Sequence, residues 1–141
     1  MIYTKNTKKA ILLAYNAHMH QVDKMGLPYI LHPIHLAEQM DSEEECIVAL
    51  LHDVVEDTDV TFDDLEKDFS KEIIDALRLL THDKSVDYLE YVKKIKTNDL
   101  ARKVKIADIK HNSDVTRVEN FTKEDEERNN KYKRALEILL D

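Results

Sequence analysis

The run Ala49-Leu50-Leu51-His52-Asp53-Val54-Val55-Glu56-Asp57-Thr58 constrains this chain more than any other stretch. It reads as core helix, yet its middle carries four titratable side chains. Residues three and four apart share a helix face. That spacing makes His52 a neighbour of Glu56, and Asp53 a neighbour of both Glu56 and Asp57, with Ala49, Leu50, Val54 and Val55 as apolar surroundings. Three carboxylates and an imidazole on one side repel one another and lose hydration, which is costly unless something neutralises them. A divalent cation does so best. The segment reads as a metal site set in a helical core.

The rest of the chain points to an all-α domain. One Gly and two Pro leave few breaks, and much Ala, Leu, Lys and Glu favours helix. The 141 residues, 1–141, amount to one domain with a single core. A first helix is expected from Thr4 to about Gln21, with Ala10, Leu13, Ala14 and Ala17 as its stripe. The loop Lys24-Met25-Gly26-Leu27-Pro28 holds the sole Gly and the first Pro. A second helix has Pro33 in its first turn and buries Ile34, Leu36, Ala37 and Met40. Asp41 or Ser42 caps a third, which runs on through the His52–Asp57 cluster. Thr61 with Asp64 forms a capping box for a fourth, and Lys71 to Leu80 makes a fifth. The second half adds helices over Val86 to Lys96, from Asn98 to roughly Val118, and from Thr122 to the final leucines. The total is about eight helices in one bundle.

Charge and composition exclude several classes. A net charge of -8 argues against a general nucleic-acid binder, because phosphate backbones require a basic face. No apolar stretch approaches the roughly 20 residues that span a bilayer, and no signal-peptide pattern opens the chain. A cytoplasmic protein without a membrane partner is the expectation. Cys46 is the only cysteine, so no intrachain disulfide forms, and its neighbours Ile47 and Val48 suggest a buried thiol. Leu136, Ile138, Leu139 and Leu140 pack either internally or against a second copy in a homo-oligomer.

A second polar group interrupts the core pattern. Asp108 sits among Ile106, Ala107 and Ile109, and Asn112 lies one turn on along the same face. Taken alone, Asp108 is most simply salt-bridged to Lys105 or Lys110. Taken with His32, His52 and Asp53 it completes two imidazoles and two carboxylates, a mixed nitrogen and oxygen set suited to Mn, Fe, Zn or another divalent ion.

Pro28-Tyr29-Ile30-Leu31-His32-Pro33, the HDxxED run His52 to Asp57 with Thr58, and Lys105-Ile106-Ala107-Asp108 with Asn112 together resemble the HD-domain superfamily. Within it they resemble the hydrolase domain of the RelA/SpoT family and its small stand-alone relatives. The resemblance implies an all-α, metal-dependent phosphohydrolase, typically with one Mn2+ ion, acting on a nucleotide. It implies His32, His52, Asp53 and Asp108 as metal ligands, and Glu56 and Asp57 as the acidic pair that orients and activates water. Asn112 matches a residue near the substrate ribose, and Lys24 and Tyr29 are further candidates for substrate contact. The reaction implied is removal of the 3′-pyrophosphate of ppGpp or pppGpp, with no synthetase domain in a chain this short.

One motif departs from the family. The stretch His18-Met19-His20-Gln21-Val22-Asp23-Lys24 has His20 in place of the family's Gly and Asp23 in place of its Arg. An anion in place of a cation beside a polyphosphate lowers affinity. It opens an alternative, an altered HD domain that binds a nucleotide as a regulatory module. His18, His35 and His111 are expected near helix surfaces or beside the site, His82 at a helix end, and Tyr88 and Tyr91 in a core or interface. Glu124 to Arg128 reads as a solvated first turn.

Overall fold

Thr4 opens α1 (Lys5–Ala17) through a reciprocal capping box with Thr7, and Ala10 and Ala14 turn inward. α2 (Leu31–Glu38) follows, carrying His32 and Pro33 in its first turn. Ser42 caps α3 (Glu43–Leu51), whose first turn of three glutamates suits the helix dipole. Residues Cys46 to Leu51 of α3 are all buried, so this helix is covered on every side, by α1 and α2 among others. α4 (Val54–Asp57) and α5 (Phe62–Glu66) are single turns, the latter capped by the expected Thr61–Asp64 box. α6 (Lys71–Leu80) and α7 (Tyr88–Lys96) precede the long α8 (Asp99–Asn112), which Asn98 caps. A 3-10 turn, Val115–Arg117, leads to α9 (Lys123–Leu140), capped by Thr122 and Asp125.

The computed structural model describes Met1–Asp141. Its buried apolar residues form one continuous cluster. α3 lies at the centre, packed against α1, α2, α6 and α8, while α9 closes the far side over α7 and α8. Cys46 is fully buried, as its neighbours imply, and Leu139 points inward, leaving Leu140 exposed. No helix is long and apolar enough to cross a membrane.

Three helices end earlier than their periodicity suggests. α1 stops at Ala17, and His18 is buried at its end instead of lying on a surface. α8 stops at Asn112, where Asp114 accepts from the Thr116 N–H and starts a separate turn. The expected third helix is two segments, because α3 ends at Leu51 and His52 and Asp53 form a turn before α4. The Ala49 carbonyl would accept from Asp53 N–H in a continuous helix. Here it takes Nδ1–H of the His52 ring at 2.7 Å. The side chain competes with the backbone, and the helix breaks at the site.

Candidate active site

His32 from α2, His52 and Asp53 from the α3–α4 turn, and Asp108 from α8 converge on one point. One ligand-type atom from each of His32, His52 and Asp53 lies within 4.8 Å of the others. Asp108 Oδ1 stands 2.9 Å from His32 Nε2 and 3.5 Å from His52 Nε2. Both histidines and Asp108 are almost wholly buried, and the Asp53 side chain is 20% exposed, so the cluster opens to solvent on the Asp53 side.

The hydrogen bonds decide what this cluster can hold. His52 Nδ1 is engaged with a carbonyl that can only accept, so Nδ1 carries a proton and Nε2 is the nitrogen left to meet a cation. That Nε2 is buried without a hydrogen-bond partner. Asp53 Oδ2 is 3.0 Å away, but off the direction a ring N–H would need, so proximity there does not amount to a bond. A buried lone pair beside two carboxylates and a second imidazole is what a divalent cation requires. The residues fit a metal ion.

Electrostatics agree. Burial favours a neutral Asp108, but Lys105, His32 and His52 outweigh it and hold its carboxyl well below the usual range. Asp53 is likewise held low against its burial, chiefly by His52. Burial opposes charge on His52, yet Asp53 and Asp108 raise it well above an ordinary histidine. Without a cation the cluster balances its carboxylates with an imidazole proton, which is the charge an ion would replace. Lys105, of the two lysines considered beside Asp108, is the one paired with it: Nζ bonds Oδ2 at 2.9 Å, with the ammonium over the rings of Tyr88 and Tyr91.

Glu56 and Asp57 stand at the rim, both exposed. Glu56 Oε1 accepts from the His82 N–H at 2.8 Å, which fixes its orientation. Burial, then Asp53 and Glu56, push the Asp57 carboxyl up to about 6. Gln21 holds this segment from outside: its Nε2 donates to the Asp57 carbonyl at 2.9 Å, while its Oε1 takes His18 Nδ1–H at 2.7 Å. Tyr29 packs its ring at a tilt against His18 and donates its hydroxyl to Asp53 Oδ2. Asn112 donates to Asp108 Oδ1 at 2.9 Å, and Lys24 reaches Asp125 on α9 at 2.9 Å.

Two cavities meet at this point. One, of about 250 Å3, is lined by Asp53, Glu56, Asp57, Lys105 and Asp108. The other, of about 340 Å3, is lined by Lys24, Tyr29, Arg117 and Arg128. Asn112 and Tyr132 border both, so one elongated ligand can occupy the two. Arg128 and Tyr132 are additions from α9. Arg128 resembled a surface charge, and nothing local in the sequence ties a residue of the last helix to the HD run. His111, expected to be exposed, is half-buried against His32, because α8 passes directly behind α2.

The Asp23 carboxylate has partners within the protein. Its Oδ1 accepts from Met25 N–H at 2.8 Å and Leu27 N–H at 3.0 Å, closing the turn in which Gly26 takes a φ of 77°. Its Oδ2 lies 3.6 Å from Arg117. The arginine missing from the motif is thus matched by a guanidinium arriving from the turn after α8.

The chain is similar to known proteins over most of its length. A family model described as HD domain matches residues 10–138. The chain is 34% identical over 136 residues to the Drosophila melanogaster guanosine-3′,5′-bis(diphosphate) 3′-pyrophosphohydrolase MESH1, covering 85% of this chain and 75% of that one. It is 40% identical over 77 residues to the bifunctional (p)ppGpp synthase/hydrolase SpoT of Escherichia coli K12, matching 52% of this chain but spanning only 11% of that much longer protein. A solved structure, described as a metazoan ortholog of SpoT that hydrolyzes ppGpp, superposes with a TM-score of 0.78 at 26% identity, covering 99% of this chain and 88% of the other.

Proposed function

This chain belongs to the HD domain family, and from that premise we propose that it is a metal-dependent phosphohydrolase removing the 3′-pyrophosphate of (p)ppGpp. The observation that carries the reading is the meeting of two buried imidazoles and two carboxylates beside a separate acid pair, at the junction of two ligand-sized cavities. His32, His52, Asp53 and Asp108 would hold the ion; the mixed donor set suits Mn2+, Fe2+ or Zn2+, and the family resemblance favours Mn2+ among them. When bound, the ion supplies a lowered water pKa and offsets phosphate charge.

The remaining steps belong to the chain's own residues. Asp57, titrating near 6, accepts the proton of the attacking water at near-neutral pH. Glu56, fixed by the His82 amide, aims that water at the scissile phosphorus. Lys105 adds positive charge on the floor of the same cavity. Lys24, Tyr29 and Asn112 contact the nucleoside portion, with Arg117 and Arg128 supplying cations to the second cavity. The pairing of Asp23 with Arg117 supports recognition of a phosphorylated nucleotide despite the altered motif. Retention of both Glu56 and Asp57 favours hydrolysis over a binding module, which has no use for two more crowded acids. A nucleotide substrate is consistent with the cytoplasmic location expected from the sequence.

The test is pyrophosphate release from ppGpp, pppGpp and ordinary nucleoside mono- and triphosphates with Mn2+, beside Asp53→Ala. Release from ppGpp that is lost in the variant is the expected result. Turnover of another phosphate ester would move the substrate and keep the mechanism. Absence of turnover from every nucleotide by Mn2+-loaded protein would refute the hydrolase.

A further inference from the structure

His32 can offer the cluster only one of its ring nitrogens, and the partner of the other decides which. Its Nε2 is hydrogen-bonded to Asp108 Oδ1 at 2.9 Å, a contact that a cation held by both residues would replace. Its Nδ1 points away, 2.7 Å from Nδ1 of His111 on α8. The two rings are nearly parallel, 5° apart with centroids at 4.9 Å, so this is an edge-to-edge pair of nitrogens sharing one proton. Two lone pairs cannot face each other at that distance. If Nε2 of His32 is to carry a free lone pair toward a cation, its proton must sit on Nδ1, and His111 Nδ1 must accept it.

His111 is itself constrained. The His35 ring packs on its other side at 4.2 Å, and Arg117 donates to its backbone carbonyl at 2.8 Å. Arg117 in turn meets Asp23. A line of contacts therefore runs from the loop after α1, through Asp23, Arg117 and His111, to the back of His32. A carboxylate or a carbonyl is the usual partner behind a ligating histidine; here a third imidazole takes that place.

We propose that His111 is a positioning residue: its Nδ1 accepts the His32 Nδ1 proton, holds the His32 ring, and so sets the affinity of the cluster for a divalent cation. This rests on the reading of His32 as a ligand. His111 borders neither of the two cavities that meet at the cluster, and of the cluster's four residues it bonds His32 alone, through which it acts.

The experiment is calorimetric titration of Mn2+ into the wild type, His111→Phe, His111→Asn and His32→Ala at pH 7.5, with a melting curve for each. Phe keeps a ring against His35 but cannot accept; Asn places a carbonyl oxygen near the position of Nδ1. His111→Phe is expected to weaken Mn2+ binding about 10- to 100-fold, with Asn within about threefold of wild type. Both should melt close to the wild type. Wild-type affinity in a folded His111→Phe would overturn the proposal. Nitrogen-15 imidazole spectra of the wild type loaded with diamagnetic Zn2+ supply an independent readout should the Phe variant not fold. A proton on His32 Nδ1, hydrogen-bonded to His111, is expected; coordination through His32 Nδ1 would overturn it. Equal Mn2+ binding by wild type and His32→Ala would remove the ligand reading, and the proposal with it, and that failure is recognisable because it shows in the His32 variant.

Discussion

Asp57→Asn should stabilise the metal-free protein while it removes activity. The Asp57 carboxylate accepts no hydrogen bond within the protein, so the isosteric amide breaks none, and the backbone bond from Gln21 survives. What changes is charge. Burial, Asp53 and Glu56 raise the carboxyl from 3.8 to about 6. A rise of about two units corresponds to about 3 kcal/mol at most, since each unit is worth about 1.4 kcal/mol. The side chain is exposed to solvent, which screens much of this, and about 1 kcal/mol is the discounted figure. The sign follows from linkage. A carboxyl whose folded value lies above its unfolded one opposes folding in full above about pH 6, and the penalty disappears as pH falls toward 3.8. For a chain of this length the variant should melt about 4 °C higher at pH 7.5 without metal, and the gain should vanish near pH 4. Differential scanning calorimetry at the two pH values, in the presence of a chelator, measures it. Pyrophosphate release should fall about 100-fold or more in the same variant. A variant that melts at or below the wild type at pH 7.5 would refute the claim that partial burial and the neighbouring carboxylates oppose the charge on Asp57.

Three more outcomes follow from the same geometry. Lys105→Met leaves Asp108 charged in the core without its ammonium and should destabilise by about 3 kcal/mol in chemical denaturation. Leu50→Ala, in the fully enclosed centre of α3, should lose about 3 kcal/mol in the same assay, with Mn2+ affinity unchanged in whatever fraction remains folded. Adding Mn2+ at about 100 times its dissociation constant should raise stability by about 2.7 kcal/mol, seen as a higher Tm that a chelator reverses and Asp53→Ala abolishes.

The periodic segments and their stop signals lie within a few residues of one another, and they were legible as such. Ser42, Thr61, Asn98 and Thr122 cap the helices that their positions suggest, because a capping hydroxyl, carboxylate or amide needs only the next turn of backbone. The buried stripe of α3 and the all-helical core were readable for the same reason. His32, His52, Asp53 and Asp108, grouped in the sequence by residue type and by the family resemblance, lie together in the fold.

Other features depend on contacts between distant segments, and only the tertiary structure decided them. The break between α3 and α4 comes from His52 capturing the Ala49 carbonyl, an outcome that helical periodicity alone does not encode. The burial of His18, the pairing of His111 with His32, and the arrival of Arg128 and Tyr132 from α9 join residues tens of positions apart. Asp23 is the sharpest case. By residue type it is an anion where a cation is wanted, and packing gives it two backbone amides and Arg117 as partners. Local sequence carries hydrogen-bonding and hydrophobic preferences that act within a turn or two. Which charges end up paired is settled by the packing of α2, α3, α8 and α9 around one core.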